Sequence, residues 1–422
     1  MFRRFLPRHF WSAALLAALG GALSAQPQPV VTPVAATLND AFEAAWERQP
    51  EANSLDSRRD AAMARREIAN GWTPGPPAVD VSAKTDRLTG DHGTREYEAG
   101  VAIPLWLPGE RPRTAALAEV QLSAVSSRAV AARLRVAGAV REAWWLQQRG
   151  QVELQLARER LANARQLEVD VARRVRAGDL ARADLNQAEG AVASAQAALA
   201  AAQSALAEAS QRLSALTGRA VAAAGKLASA PESLPPLPDD LDAFHIEHPF
   251  VGQLADRAQV AQREAELAAI RRRANPELTL VATRERDEFG ERWGQALTLG
   301  VRIPFGSDAR NRARLADAQA EVIETEGELR LERGRLTAQV QAARERLEAS
   351  RAQLAAAERR AALARETRGF FEKSFRLGET DLPRRLLIEQ EVTEANRQLS
   401  LTRIEVAAAI SALRQALGLL PE

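Results

Sequence analysis

The sequence predicts a mainly α-helical chain with a small β part, organised as two internal structural repeats whose long helices pair as coiled coils. Three observations carry this reading. Short motifs recur two hundred positions apart through most of the chain. Apolar residues return every seven positions along the helical tracts, and four short segments alternate apolar and polar residues. Self-similarity at a fixed spacing has to be recognised before any fold is assigned.

The repeat is clearest in GVAIPLWLPG (Gly100–Gly109) and GVRIPFGSDA (Gly300–Ala309), which place Pro104 and Pro304 in register. Val175-Arg176-Ala177-Gly178-Asp179 then matches Phe375-Arg376-Leu377-Gly378-Glu379, and Leu216-Thr217-Gly218 matches Ala416-Leu417-Gly418. Gln49-Pro50 answers His248-Pro249 with a one-residue slip. The copies are read as 37–219 and 239–422, joined by a proline-rich linker over 220–238 in which PESLPPLPDD begins.

The elements follow in order. Residues 1–25 read as an export signal: Arg3, Arg4 and Arg8 precede a short apolar stretch, and Ala22, Ser24 and Ala25 offer a cleavage site. The chain has no cysteine, which excludes a lipid-anchor Cys and any disulfide. Each copy then opens with a helix, Leu38–Asn70 and Leu241–Ala274. Two strands follow in each, over 78–87 and 94–103, then 276–286 and 295–303. Proline cannot donate to a ladder, so Pro104 and Pro304 end the strand pairs.

Very long helices come next, Thr114–Arg176 and Arg310–Arg376, each about 95–100 Å at 1.5 Å per residue. Beyond the Gly178 and Gly378 turns lie Ala181–Thr217 and Leu382–Leu417. Helices of that length need partners, and the heptads supply them. Leu185, Val192, Leu199, Leu206 and Leu213 recur every seven residues, with Ala188, Ala195, Ala202 and Ala209 three places on. Val392, Leu399, Val406 and Leu413 keep the same phase, beside Ala395, Thr402, Ala409 and Ala416. A sustained seven-residue apolar repeat makes a seam, and alanine lets the axes approach closely.

The strands separate a membrane protein from a soluble scaffold. Val79, Val81, Ala83 and Thr85 alternate with Asp80, Ser82 and Lys84; Tyr97, Ala99, Val101 and Ile103 alternate with Glu96, Glu98, Gly100 and Ala102. The second copy keeps the parity, with Val281 breaking it. Roughly ten alternating residues per strand is the pattern of a membrane-spanning barrel. Asp80, Lys84, Glu96, Glu98 and Arg302 are then candidates for the barrel lumen. Four strands cannot close a barrel and an open edge is not tolerated in lipid, so copies of the chain must complete it.

Composition narrows the alternatives. Lys and Arg number 57 against 55 Asp and Glu, a formal charge of +2 with no basic run, which gives no case for nucleic acid. No nucleophile motif or phosphate loop appears, so no enzyme and no cofactor are expected. His245-x-x-His248 has the spacing of a metal pair but no third ligand nearby, and no metal site is expected. A periplasmic adaptor would carry one helical hairpin rather than two, and a soluble coiled-coil structural protein leaves the strand parity unexplained.

Together these residues resemble the TolC-type outer-membrane efflux factors. AIPLWLPGERPR and VRIPFGSDARNR after the strands, and VRAGDLARADL and FRLGETDLPRRL at the helical turns, carry the resemblance, and PLWLPGER is most similar to the CzcC-like factors of heavy-metal RND pumps. The resemblance implies an outer-membrane homotrimer with a twelve-strand barrel and a periplasmic helical tunnel. It also implies a periplasmic adaptor, an inner-membrane efflux transporter and, from the subgroup, heavy-metal cations as cargo. Arg176, Gly178, Asp179, Arg376, Gly378 and Glu379 would form the adaptor-docking tips. The type member carries acidic residues six places after these glycines, near its constriction. Here Asp184 and Arg384, with Arg385 beside it, depart from an all-acidic gate and suggest an Asp184–Arg384 interaction between copies or subunits.

Overall fold

A computed structural model describes residues 37–219, 232–236, 247–306 and 308–422. The expected signal segment, His245 and most of the linker lie outside them. The first repeat runs α1 (Leu38–Glu47), α2 (Pro50–Ala69), β1 (Ala78–Thr85), β2 (Arg95–Pro104), α3 (Glu110–Ala177) and α4 (Arg182–Thr217). The second runs α5 (Pro249–Ile270), β3 (Glu277–Arg286), β4 (Gly294–Arg302), α6 (Asp308–Arg376) and α7 (Leu382–Ala416).

The opening helix expected over Leu38–Asn70 is two helices. Pro50 has no N–H to continue α1 and its ring disfavours a helical residue before it, so the chain breaks at Gln49 and restarts with Pro50 in the first helical position. The same logic places Pro249 at the start of α5. Thr37 caps α1, its hydroxyl accepting the Asp40 N–H at 3.1 Å. Leu38, Phe42 and Ala45 then bury against Ala137, Val140 and Trp144 of α3 and Leu213 of α4.

The heptad alanines lie where the seam requires them. Ala188, Ala195, Ala202 and Ala209 of α4 are buried, as are Ala395, Thr402 and Ala409 of α7. Leu154 and Ala157 meet Ala202, and Leu161 meets Val192 and Ala195. At Gly150 of α3 a Cβ would stand 3.2 Å from the Leu206 Cα, so the missing side chain sets how near α4 can come.

All four strands form one antiparallel sheet in the order β1-β2-β3-β4. The two copies therefore join at the β2–β3 seam, where Arg95 pairs Arg286 and Pro104 pairs Glu277. The outer edges, β1 and β4, have no further partner strand among the described residues.

Where the sheet meets the helices, PLWLPGER builds a joint between the repeats. Gly109 takes φ 77°, a left-handed turn that suits glycine, and reverses the chain into α3. Glu110 is fully buried. Its carboxylate accepts the Leu107 N–H at 3.0 Å, the Asn275 Nδ2 at 2.6 Å and the Arg271 Nε at 2.7 Å. Trp106 Nε1 donates to the Gly71 carbonyl and Arg111 to that of Asn70.

A second buried cluster ties the described linker residues to the middle of α3 and the C-terminal end of α7. Arg141 of α3 holds Glu232 through both carboxylate oxygens, at 2.6 and 3.1 Å. Arg414 of α7 reaches the same carboxylate at 3.3 Å and that of Glu422 at 2.6 Å.

Candidate functional site

The register of the sheet sorts residues by chemistry. Residues directly opposite one another share a face. Asp80, Ser82 and Lys84 pair with Gly100, Glu98 and Glu96, and Arg302 pairs with Glu277. The candidates Asp80, Lys84, Glu96, Glu98 and Arg302 therefore occupy one face. Lys84 Nζ donates to Glu96 at 3.2 Å, Ser82 to Glu98 at 3.0 Å and Arg302 to Glu277 at 3.2 Å. Val79, Val81, Tyr97, Val101, Leu280, Leu297, Leu299 and Val301 occupy the other face, and all are solvent-exposed in the single chain.

Val281, the exception to the alternation, lies on the polar face. It stands across from Gly100, where a Cβ would come within 3.0 Å of the valine Cγ2. The glycine makes the room that the valine fills.

The two turns at the far end of the helices are identical Schellman motifs. Gly178 has φ 85°, its N–H donates to Val175, and the Asp179 N–H donates to Arg174. Gly378 has φ 78°, with Phe375 and Ser374 as the corresponding acceptors. Both patterns satisfy carbonyls that the helix end would leave open. Arg176 Nε donates to the Ala172 carbonyl, and Arg376 closes α6. Leu377 beside the second glycine is exposed where the first copy has Ala177.

The residues six places on have a local explanation. Asp184 accepts the Ala181 N–H at 2.9 Å, and in the second copy Asp381 accepts the Arg384 N–H at 3.0 Å. Positions 181 and 381 correspond, as do 184 and 384. The capping carboxylate has therefore moved three places between the copies. Among the described residues Asp184 and Arg384 form no ion pair within one chain; the Arg384 guanidinium lies 5.5 Å from the Phe371 ring.

Sequence reading missed the residue that joins the tips. Phe375 of α6 is buried between two guanidiniums, Arg174 of the first repeat at 4.5 Å and Arg385 of the second at 4.6 Å. Arg174 also donates to the Phe375 carbonyl at 3.1 Å. Burial lowers the Arg385 pKa from its usual range, while Glu389, Glu372 and Asp170 act to raise it. The heptads give no sign of this contact, because its partners are two hundred residues apart.

His248, half of the His245-x-x-His248 pair, is a buried helix cap: its Nδ1 accepts the Phe250 N–H at 3.2 Å. Among the described residues no group of three His, Cys, Asp or Glu is arranged to hold a metal ion. No described helix is long and apolar enough to cross a membrane.

The architecture thus combines two helices about 100 Å long, each paired with a helix of roughly half that length, with a four-stranded sheet whose outer strands pair with no other strand among the described residues. Residues 43–219 match the family model described as outer membrane efflux protein.

Solved structures of low sequence identity share the fold. A CusC structure superposes with TM-score 0.75 at 18% identity, covering 91% of this chain and 92% of that chain. VceC of Vibrio cholerae gives 0.72 at 18% identity, with 91% and 97% covered. The open state of MtrE from Neisseria gonorrhoeae gives 0.72 at 16% identity, with 91% and 89% covered. No curated protein matches by sequence.

Proposed function

We propose that the chain is the exit duct of a tripartite efflux pump: exported, assembled as a homotrimer in the outer membrane, and performing no chemistry of its own. The observation that carries this reading is the sheet. It has one apolar face, one polar face and two edges that pair with no strand among the described residues. Four strands per chain run alternately, so β4 of one copy meets β1 of the next antiparallel, and three copies make a twelve-strand barrel.

In that barrel Val81, Leu297 and Leu299 face lipid, while Asp80, Lys84, Glu96, Glu98 and Arg302 line the lumen. The exposed apolar residues Leu363 and Phe370 of α6 and Leu377 just past its end recur every seven positions and supply a stripe for packing against a neighbouring subunit. The tips around Arg176, Gly178, Asp179, Arg376, Gly378 and Glu379 dock a periplasmic adaptor, which links the duct to an inner-membrane transporter of the RND type. Asp184, Arg384 and Arg385 lie near the constriction, with an Asp184–Arg384 contact between subunits as the proposed latch.

Heavy-metal cations are the proposed cargo. That assignment rests on the PLWLPGER resemblance alone, and Trp106, Glu110 and Arg111 of that motif are already committed to the joint between repeats.

The test exploits the absence of cysteine. Cysteine pairs with one member on β1 (around Val81) and one on β4 (around Leu299) are oxidised in outer-membrane fractions. The expected product is a ladder that ends at three covalently linked chains, together with discrete conductance steps in planar bilayers. A monomer recovered in the soluble periplasmic fraction, with no intermolecular product, overturns the reading and favours an adaptor or a soluble coiled-coil protein.

A further inference from the structure

The loop-proximal end of the apolar face carries charge that the lumen does not explain. Arg95 and Arg286 are directly paired across β2 and β3, and Arg284 pairs with Tyr97 on the same face. All three guanidiniums share the side occupied further along by Val101, Leu280 and Leu299. Among the described residues no carboxylate forms an ion pair with any of them, whereas Lys84 and Arg302 on the opposite face each have one.

Aromatic rings hold two of the three, Arg284 and Arg286. Trp293 has the Arg284 guanidinium at 4.9 Å and that of Arg286 at 5.0 Å. Its ring lies 5.8 Å from Tyr97, and Arg286 also sits 5.6 Å from Phe289. Arg286 Nε reaches the Gly93 carbonyl at 3.4 Å, which leaves its terminal nitrogens directed elsewhere.

Three unpaired cations on a lipid-facing surface would be costly at the middle of a bilayer, but near its border the cost is small. Aromatic residues mark that border. The guanidiniums of Arg284 and Arg286, held against rings and lacking carboxylates, match the bidentate geometry of phosphate, and Arg95 beside Arg286 adds a third cation. The inference rests on the membrane reading above, which puts the hairpin loops and this rim in the leaflet remote from the periplasm.

We propose that Arg95, Arg284 and Arg286, framed by Tyr97 and Trp293, form a binding rim for the phosphate groups of a phosphorylated glycolipid in the outer leaflet. The lipid supplies the anion that the chain omits, and its acyl chains lie along Val101, Leu280 and Leu299. Because β1 and β4 flank the rim, a lipid held there borders the subunit seam as well.

The experiment uses full-length protein purified from outer membranes in detergent and titrated with bis-phosphorylated lipid A, with bound lipid counted by native mass spectrometry. Wild type should hold at least one lipid per chain. The triple variant Arg95→Gln, Arg284→Gln, Arg286→Gln should bind at least about tenfold more weakly, the loss expected from one charge-assisted contact or more. Replacing the three by lysine should give an intermediate affinity, since charge remains but the fork is lost. Dephosphorylated lipid A should bind wild type no better than the phosphorylated lipid binds the glutamine variant.

Equal binding by wild type and the glutamine variant overturns the proposal, as does equal binding of dephosphorylated lipid. Inorganic phosphate that displaces the lipid at comparable concentration assigns the rim to a free anion and also overturns it. Trimers with normal conductance accompany all of these outcomes if the membrane reading holds. Wild-type protein that never enters the outer membrane removes that reading, and the rim with it.

Discussion

Glu110 concentrates the joint between the repeats in one carboxylate: it is fully buried and takes hydrogen bonds from Leu107, Asn275 and Arg271. Removing one partner from a buried charged cluster strands the others without water. Glu110→Ala should therefore cost about 3 kcal/mol, read as a lower unfolding midpoint, and Glu110→Gln should cost less because an acceptor remains. Glu422 gives a pH-dependent counterpart. The Ser233 hydroxyl first, and then Arg414, hold its carboxyl below the ordinary value near 4.5. A depressed folded pKa contributes stability that is complete above the unfolded value and disappears as pH falls through the lower folded one. Acid unfolding between about pH 5 and that lower value should thus be less steep in Glu422→Gln. The effect is small, since the carboxylate is half exposed and solvent-screened.

Among the elements, the helical rods test how close packing and propensity compete. Gly150 lies against Leu206, whereas Gly190 of α4 has nothing within 4 Å of where a Cβ would be. Gly190→Ala should stabilise by about 0.5–1 kcal/mol through helix propensity, and Gly150→Leu should destabilise by about 2 kcal/mol through overpacking. Thermal melts of the two variants, run side by side, check the opposite signs. The rods and strands were readable in advance because their signals are local: the heptad alanines are buried as their spacing requires, and every strand falls within a few residues of its expected span. The division of the first helix was missed although Pro50 was in plain view, since a proline that opens a helix leaves the surrounding composition unchanged. Asp184 shows the converse. Its position suggested a gate, yet its carboxylate also satisfies an N–H three residues away, which the sequence alone could not rank above the gate. Phe375, Glu110 and the Arg141–Glu232 pair were invisible because each depends on partners 90 residues away or more.

For the whole molecule, the two faces of the sheet make opposite demands. Val81→Arg or Leu299→Arg places a charge near the middle of the apolar face, where it should cost about 2–4 kcal/mol at the bilayer midplane. Fewer trimers should then reach the outer-membrane fraction. Thr298→Arg, on the polar face beside Gly100 and Val281, should assemble normally and change single-channel conductance or ion selectivity instead. The faces were legible from parity, but the side-by-side pairing of the two copies at β2 and β3 was not, because alternation carries no information about which strand neighbours which.

The two repeats are fastened together at both extremities, by Glu110 near the sheet and by Phe375 at the tips, with rods of 68 and 69 residues strung between. Two parallel struts bolted at each end cannot be resized singly. A heptad inserted into one hairpin alone would pull a bolt apart, while the same insertion made in both would leave every fastening in place. Length changes in such a chain are therefore confined to the joints. That is where the spacing between Gly109 and Gly306 drifts, while Gly178 and Gly378 keep an unchanged separation.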